Sequence, residues 1–168
     1  LFDRALDTKS GKSLEKGILY EQKKQLINQN YWVESIEIRD KKFNLTDKIH
    51  TWDNITIRIY YVSKRKISNG TVVLTIQTSE HFKLLRCSTM PDQKIPLKIL
   101  EGKNYVDCTF ESWPFAAGKY FLHVAFAIPM VEWLFETREP IPLITNEKDI
   151  FNSGFPPHSS SYAIATPY

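Results

Sequence analysis

The sequence contains few cysteines and no long run of apolar residues, and both absences limit what the protein can be. Only 2 of its 168 residues are cysteine, too few for the disulfide framework that stabilises many small secreted domains. No stretch reaches the roughly 18 consecutive apolar residues of a membrane-spanning helix. We therefore expect one domain without such a span, in which Cys87 and Cys108 are reduced, buried thiols.

The net excess of positive charge is also small, and it is not concentrated on one element. The formal net charge is +3 at pH 7. The densest basic cluster, KRK at 64–66, immediately precedes the turn-forming sequence SNG at 68–70. Dedicated nucleic-acid-binding domains usually cluster their Lys and Arg residues on one face or element. The sequence therefore favours a solvated hairpin tip here and predicts no nucleic-acid partner.

Catalytic and metal-binding motifs are missing as well. The four histidines are isolated, and no two of them have the spacing of metal ligands. Asp107 and Glu111 lie four residues apart on one expected strand, as do Glu132 and Glu136. That spacing spans roughly 13 Å in a strand, too far for the paired carboxylates of a glycoside hydrolase. We expect no catalytic residue, no metal and no cofactor; a β-sandwich glycoside-active enzyme, using carboxylates from different strands, remains one alternative.

Alternation of large apolar and smaller or polar residues is the dominant pattern of the sequence. In residues 118–128 the larger side chains fall on one face, which predicts a strand that faces a core. Similar segments recur between turn signals, at 31–39, 54–62, 71–79, 82–87, 97–100, 104–112, 131–136 and 141–144. About eight or nine short strands at such spacing are typical of a sandwich. We predict an all-β fold, an antiparallel β-sandwich of the Ig-like or jelly-roll type.

Composition divides the chain into two parts. Residues 1–30 are polar and rich in lysine, whereas the strand pattern begins at Tyr31. We predict a linker over 1–30 and a β-sandwich domain with a C-terminal tail over 31–168. Because the first residue is leucine, we expect the linker to lead from an upstream domain. The tail is rich in Pro and Ser, yet it carries apolar side chains that need a surface to cover: Phe151, Phe155, Tyr162, Ile164 and Tyr168.

Three N-glycosylation sequons support a different class of protein. They begin at Asn44, Asn54 and Asn69, and they keep a secreted or cell-surface Ig-like adhesion or receptor domain open as an alternative. Asn54 begins an expected strand, where a glycan would be difficult to place. In a cytosolic protein rich in Asn and Thr such triplets have no meaning.

Aromatic and polar side chains on the outward strand faces are the best candidates for a binding site. Sugar rings stack their C–H faces on aromatic rings, and their hydroxyl groups bond to planar polar groups. The candidate carbohydrate-binding residues are Trp52, Arg58, Tyr60, Gln77, His123 and Trp133. We expect Arg58, Tyr60 and Gln77 to point outward from neighbouring antiparallel strands. If His123 lies on the same sheet, the four side chains line one concave face with Trp52 or Trp133 at its rim. Alternatively, Trp52, Trp113 and Trp133 fill the core or cap its ends.

Several short stretches resemble one protein family. They are IHTWD at 49–53, AAGKY at 116–120, AIPMVEWL at 127–134, DIFNSG at 149–154 and YAIATP at 162–167. These stretches are similar to the C-terminal domain of Wzt-type proteins, the ATP-binding subunits of bacterial ABC transporters that export O-antigen and related polysaccharides. The resemblance covers roughly residues 30–168, and NSG and VEW are its most specific parts.

The resemblance implies a sandwich that binds the finished glycan in the cytoplasm, at the inner face of the bacterial inner membrane, and couples it to export. It implies three partners: an O-antigen-type polysaccharide, a second copy in a homodimer to which the tail contributes, and the transmembrane subunit of the exporter, reached through the full-length protein. Residues 1–30 would then lead from an ATPase domain. No binding residue follows from the resemblance, because the family's binding residues vary with the glycan.

Overall fold

The protein is an all-β structure, in agreement with the sequence prediction. A computed structural model describes residues 16–22 and 29–165, and these residues form eleven strands and no helix. In this part of the chain, therefore, no helix is present that could cross a membrane. The strands are β1 (Ile18–Glu21), β2 (Tyr31–Asp40), β3 (Ile49–His50), β4 (Ile55–Ser63), β5 (Ile67–Gln77), β6 (Lys83–Ser88), β7 (Leu97–Ile99), β8 (Gly102–Phe110), β9 (Gly118–Ile128), β10 (Glu132–Glu136) and β11 (Ile141–Asn146).

The strands form two sheets that together resemble a sandwich. The small sheet has the order β1-β2-β4-β8, and the large sheet has the order β3-β11-β9-β5-β6. In addition, β10 pairs with β9 and β7 pairs with β5. The pairings are antiparallel except that of β3 with β11. The nine strands expected from alternation correspond to β2 and to β4 through β11.

The core lies between the two sheets and is built by the alternating apolar residues. On β4 the buried side chains are Ile55, Ile57, Ile59 and Tyr61, and on β9 they are Tyr120, Leu122, Val124 and Phe126. Trp113 is completely buried in the loop between β8 and β9. Because a strand turns successive side chains to opposite faces, the residues between these positions lie on the outer surfaces of the sheets.

Part of the predicted linker belongs to the sandwich. Strand β1 pairs with β2, and the carbonyl of Gly17 accepts a 2.8 Å hydrogen bond from the amide of Ile38. Gly17 has φ 85°, and a Cβ there would lie 2.8 Å from the backbone nitrogen of Thr46, so glycine is required at this turn. The fold thus begins before Tyr31. Residues 1–15 and 23–28 of the predicted linker lie outside the described residues.

The C-terminal tail folds back onto its own sandwich. The amide of Ala116 donates to the carbonyl of Ala163 at 2.9 Å, and the amide of Ala165 donates to the carbonyl of Pro114 at 2.7 Å. Even so, Phe155 is 82% exposed. The tail therefore covers the segment before β9 while still presenting apolar surface. Tyr168 lies outside the described residues, and the predicted contribution of the tail to a dimer stays a prediction.

Candidate functional site

The structure distributes the six predicted site residues over three surfaces. Gln77, His123 and Trp133 line one groove on the outer face of the large sheet. The other three lie elsewhere: Arg58 and Tyr60 on the small sheet, and Trp52 in the turn after β3. The expectation that Arg58, Tyr60 and Gln77 lie on neighbouring strands is wrong, because β4 and β5, although consecutive in sequence, belong to opposite sheets.

The groove is formed where β5, β6, β9 and β10 lie side by side. Its volume is about 370 Å³. The strand register aligns Thr75 of β5 with His123 of β9 and with Arg86 of β6, so these three side chains form a row across the sheet. Glu136 of β10 pairs with Ala125 of β9 and closes the groove on the side of β10. The arrangement places hydrogen-bond donors and an acceptor along one concave strip.

A β-bulge places Trp133 at the edge of this groove. Trp133 pairs with Ala127, whereas Phe135 pairs with the adjacent Phe126, so one extra residue is accommodated in β10. A bulge changes the face on which following side chains lie. As a result, Trp133 and Glu136 both line the groove, while Phe135 packs against the core. The indole of Trp133 is 68% exposed, which leaves its surface available for stacking.

Trp133 also separates the polar groove from a neighbouring apolar cavity. This second cavity has a volume of about 520 Å³ and includes Pro91, Ile128, Met130 and Val131 in its lining. Met130 and Val131 are strongly exposed at the tip of the β9–β10 hairpin. A ligand in the groove would therefore meet an apolar surface on the far side of the indole.

The polar groups of the groove differ in how far they are already engaged. Gln77 is only 5% exposed, and its amide contacts Nδ1 of His81 at 3.2 Å in the turn after β5. Nδ1 of His123 lies 3.5 Å from Oγ1 of Thr137, and no described residue bonds to its Nε2. Gln77 lies on the outward face of β5 as expected, where it forms part of the groove floor, whereas His123 retains a nitrogen for a ligand.

The charged groups around the groove balance one another. Arg86 pairs with Asp92 at 3.1 Å, and Lys83 and Glu136 line the groove without an ion pair to any described residue. Sequence reasoning missed Lys83, Arg86 and Glu136, because only the pairing of β6 and β10 with their neighbours brings them to Trp133. With Asp92 beside Arg86, the positive charge of the groove is nearly balanced, which suits a hydroxyl-rich ligand without a large net charge.

Arg58 and Tyr60 belong to a separate cluster on the small sheet, in which they bond to neighbouring side chains. Arg58 donates two 2.8 Å hydrogen bonds to the carboxylate of Asp107, which raise the pKa of its guanidinium. The same guanidinium lies 4.0 Å from the ring centroid of Tyr105, a cation–π contact. The hydroxyl of Tyr60 lies 3.4 Å from Nη2 of Arg39. These contacts use the groups that a sugar would otherwise engage.

Trp52 holds the tail against the end of the sandwich. Its indole nitrogen donates to the carbonyl of Ala165 at 2.8 Å, and its ring meets Phe151 edge-on at 5.4 Å. The backbone has φ 67° at this residue, and its amide donates to the carbonyl of Trp113 at 2.7 Å. This geometry fits the alternative that Trp52 caps one end of the sandwich. Among the described residues, no cluster of three or more His, Cys, Asp or Glu side chains is arranged to hold a metal ion.

Comparison with known proteins agrees with the resemblance seen in the sequence. The family of Wzt C-terminal domains matches residues 28–134, a range that includes the groove residues except Glu136. A crystal structure of the C-terminal domain of Wzt is similar in fold, with a TM-score of 0.63 and 12% sequence identity over 83% of this chain and 85% of that chain. No match was found among curated proteins. The chain belongs to the family of Wzt C-terminal domains, which are non-catalytic domains of the ATPase subunits of O-antigen ABC exporters.

Proposed function

We propose that this protein is a carbohydrate-binding domain that recognises an O-antigen-type polysaccharide and couples it to export by an ABC transporter. The observation that carries this proposal is the groove beside Trp133, in which an exposed indole adjoins a row of polar side chains. The groove volume of about 370 Å³ lies within the range of small-molecule sites. Membership of the family supplies the context of polysaccharide export.

The chemistry of the groove suits a sugar. The apolar C–H face of a pyranose ring would stack on the exposed indole of Trp133. Around it, Lys83, Arg86 and His123 offer hydrogen-bond donors, and the carboxylate of Glu136 offers an acceptor. Since sugar hydroxyls both donate and accept hydrogen bonds, this mixture serves them better than a site of one charge sign. Trp133, His123 and Gln77 are therefore the predicted residues that we retain for the site.

We extend the proposal to the full-length protein, for which family membership is the support. The domain works on the cytoplasmic side of the bacterial inner membrane, joined to an ATPase domain through the part of residues 1–30 that precedes β1. It acts as a homodimer, with apolar tail residues such as Phe155 at the contact, and it cooperates with the transmembrane subunit of the exporter. Glycan binding by the domain itself requires neither nucleotide nor metal.

Calorimetry of the isolated domain with polysaccharide purified from the source strain tests this function. The titration is carried out in buffer with a chelator and without nucleotide, and we expect saturable binding of weak to moderate affinity. A parallel incubation should release no reducing ends. Release of reducing ends would overturn the proposal in favour of a glycoside-active enzyme, and absence of binding to the source-strain polysaccharide would refute carbohydrate recognition by this domain.

A further inference from the structure

Two cysteines from opposite sheets meet at one edge of the sandwich. Cys87 lies on β6 and Cys108 lies on β8, and these are the last strands of the large and small sheets on this side. Both cysteines are free and partly buried. They line a common cavity of about 140 Å³ that also includes Thr89, Gln93 and Thr109. Two thiols that are 21 positions apart in the sequence thus face each other across the gap between the sheets.

The two thiols are not equivalent. The neighbouring side chain of Cys108 lowers the pKa of Cys87 to about 7, against the opposing effects of burial and of nearby Asp92. The Cys87 side chain, burial and the charge of Asp107 together raise the pKa of Cys108. Because the thiolate is the nucleophilic form of cysteine, Cys87 is the attacking group and Cys108 is the resolving group.

We propose that Cys87 and Cys108 form a thiol–disulfide exchange site whose substrates are low-molecular-weight disulfides. The Cys87 thiolate attacks one sulfur of the small disulfide, forms a mixed disulfide and releases one small thiolate, which takes up a proton. Cys108 then loses its proton and attacks the Cys87 sulfur, which releases the second small thiol. Two protein thiols are oxidised to one bridge, and one small disulfide is reduced to two thiols.

The bridge would join the edges of the two sheets. Cys87 directly follows Arg86 on β6, and Arg86 lines the groove on the opposite face of the large sheet. Fixing β6 to β8 would therefore restrain a strand that carries part of the groove. In a reducing compartment the equilibrium keeps both thiols reduced, so the bridge forms only under oxidising conditions. This proposal is independent of carbohydrate binding and stands or fails separately.

Reaction of the whole chain with glutathione disulfide at pH 7, followed by mass spectrometry without reductant, tests the proposal. We expect the wild-type protein to lose two hydrogens, remain free of glutathione and yield a peptide pair linked through Cys87 and Cys108. The Cys108→Ser variant should accumulate one glutathione on Cys87. The Cys87→Ser variant should react about tenfold more slowly, since the remaining thiol is more buried and has the higher pKa.

The pH dependence of alkylation by iodoacetamide gives a second readout. Cys108→Ser keeps a polar hydrogen beside Cys87, whereas Cys108→Ala removes it. We expect the midpoint of Cys87 alkylation to lie near pH 7 in the wild type and in Cys108→Ser, and to shift upward in Cys108→Ala. Persistent glutathione on the wild-type protein, a crosslink between two chains, or equal reactivity of Cys87→Ser and Cys108→Ser would overturn the proposal.

Discussion

Replacement of Trp113 by phenylalanine should destabilise the protein strongly, although phenylalanine is also aromatic. The Trp113 side chain is 0% exposed, and its indole nitrogen donates to Oγ1 of Thr145 at 2.9 Å. Its ring centroid lies 5.0 Å from that of Phe110 and 4.8 Å from that of Phe115. The substitution would remove the donor to a buried hydroxyl and leave a cavity between these rings.

The expected cost follows from these two effects. Loss of the donor to Thr145, which is 2% exposed, should cost about 1–3 kcal/mol. A residual cavity of roughly 40 Å³ adds about 1 kcal/mol at about 24 cal/mol per Å³. The free energy of unfolding should therefore fall by about 2–4 kcal/mol, a large share of the roughly 5–15 kcal/mol typical of a domain.

Urea denaturation followed by circular dichroism measures this difference. Trp133→Phe is the matched control, because Trp133 is 68% exposed and its replacement should change the free energy of unfolding by less than about 0.5 kcal/mol. If Trp113→Phe stays within about 0.5 kcal/mol of the wild type, or if the control loses as much stability, our assignment of Trp113 to the core and Trp133 to the surface is refuted.

Two further predictions concern the end of the sandwich near the tail. Burial opposes ionisation of Asp53, but hydrogen bonds from Lys148 and His50 leave the pKa of its carboxyl lowered. The stabilisation that the ionised Asp53 carboxylate gives the folded protein is therefore present above the unfolded pKa of about 4 and lost as pH falls through the lower folded value. Asp53→Asn should lower the free energy of unfolding by about 0.5–1 kcal/mol at pH 7 and weaken its dependence on acid pH in urea denaturation. An unchanged pH profile would contradict this prediction. A Cβ at Gly118 would lie 2.6 Å from Cβ of Ser159, so Gly118→Ala should destabilise by about 1–3 kcal/mol and expose the tail to limited proteolysis. Addition of Ser159→Gly to Gly118→Ala should restore resistance to proteolysis. A Gly118→Ala protein as resistant as the wild type would show that the tail does not pack against Gly118.

Much of the fold was predictable because it depends on local alternation. Side chains of a strand change face with period 2, so the pattern of Ile55, Ile57 and Ile59 identifies both the strand β4 and its buried face. The two strands that were missed are β1 and β3. β3 has only two residues, and β1 lies in a polar segment whose strand conformation depends on pairing with β2. Neither strand is long enough to show an alternating pattern of its own.

The site was less predictable because it depends on which strands are neighbours. Pairing between distant strands brings Arg86, His123 and Glu136 together, and the sequence of one strand does not specify its partner. The bulge in β10 places Trp133 and Glu136 on the same side although they are three positions apart. Alternation correctly placed Arg58 on an outward face, but it could not show that β4 and β5 lie in opposite sheets.

The most direct test of carbohydrate binding in the groove compares two exposed aromatic residues on opposite sheets. Source-strain polysaccharide is titrated into the wild type, Trp133→Ala and Tyr105→Ala; the two side chains are 68% and 53% exposed. We predict that Trp133→Ala weakens binding by about 1–3 kcal/mol, roughly 5- to 150-fold, while Tyr105→Ala binds as the wild type does and both variants stay folded. Normal binding by Trp133→Ala together with loss of binding by Tyr105→Ala would place the site on the small sheet and contradict the account.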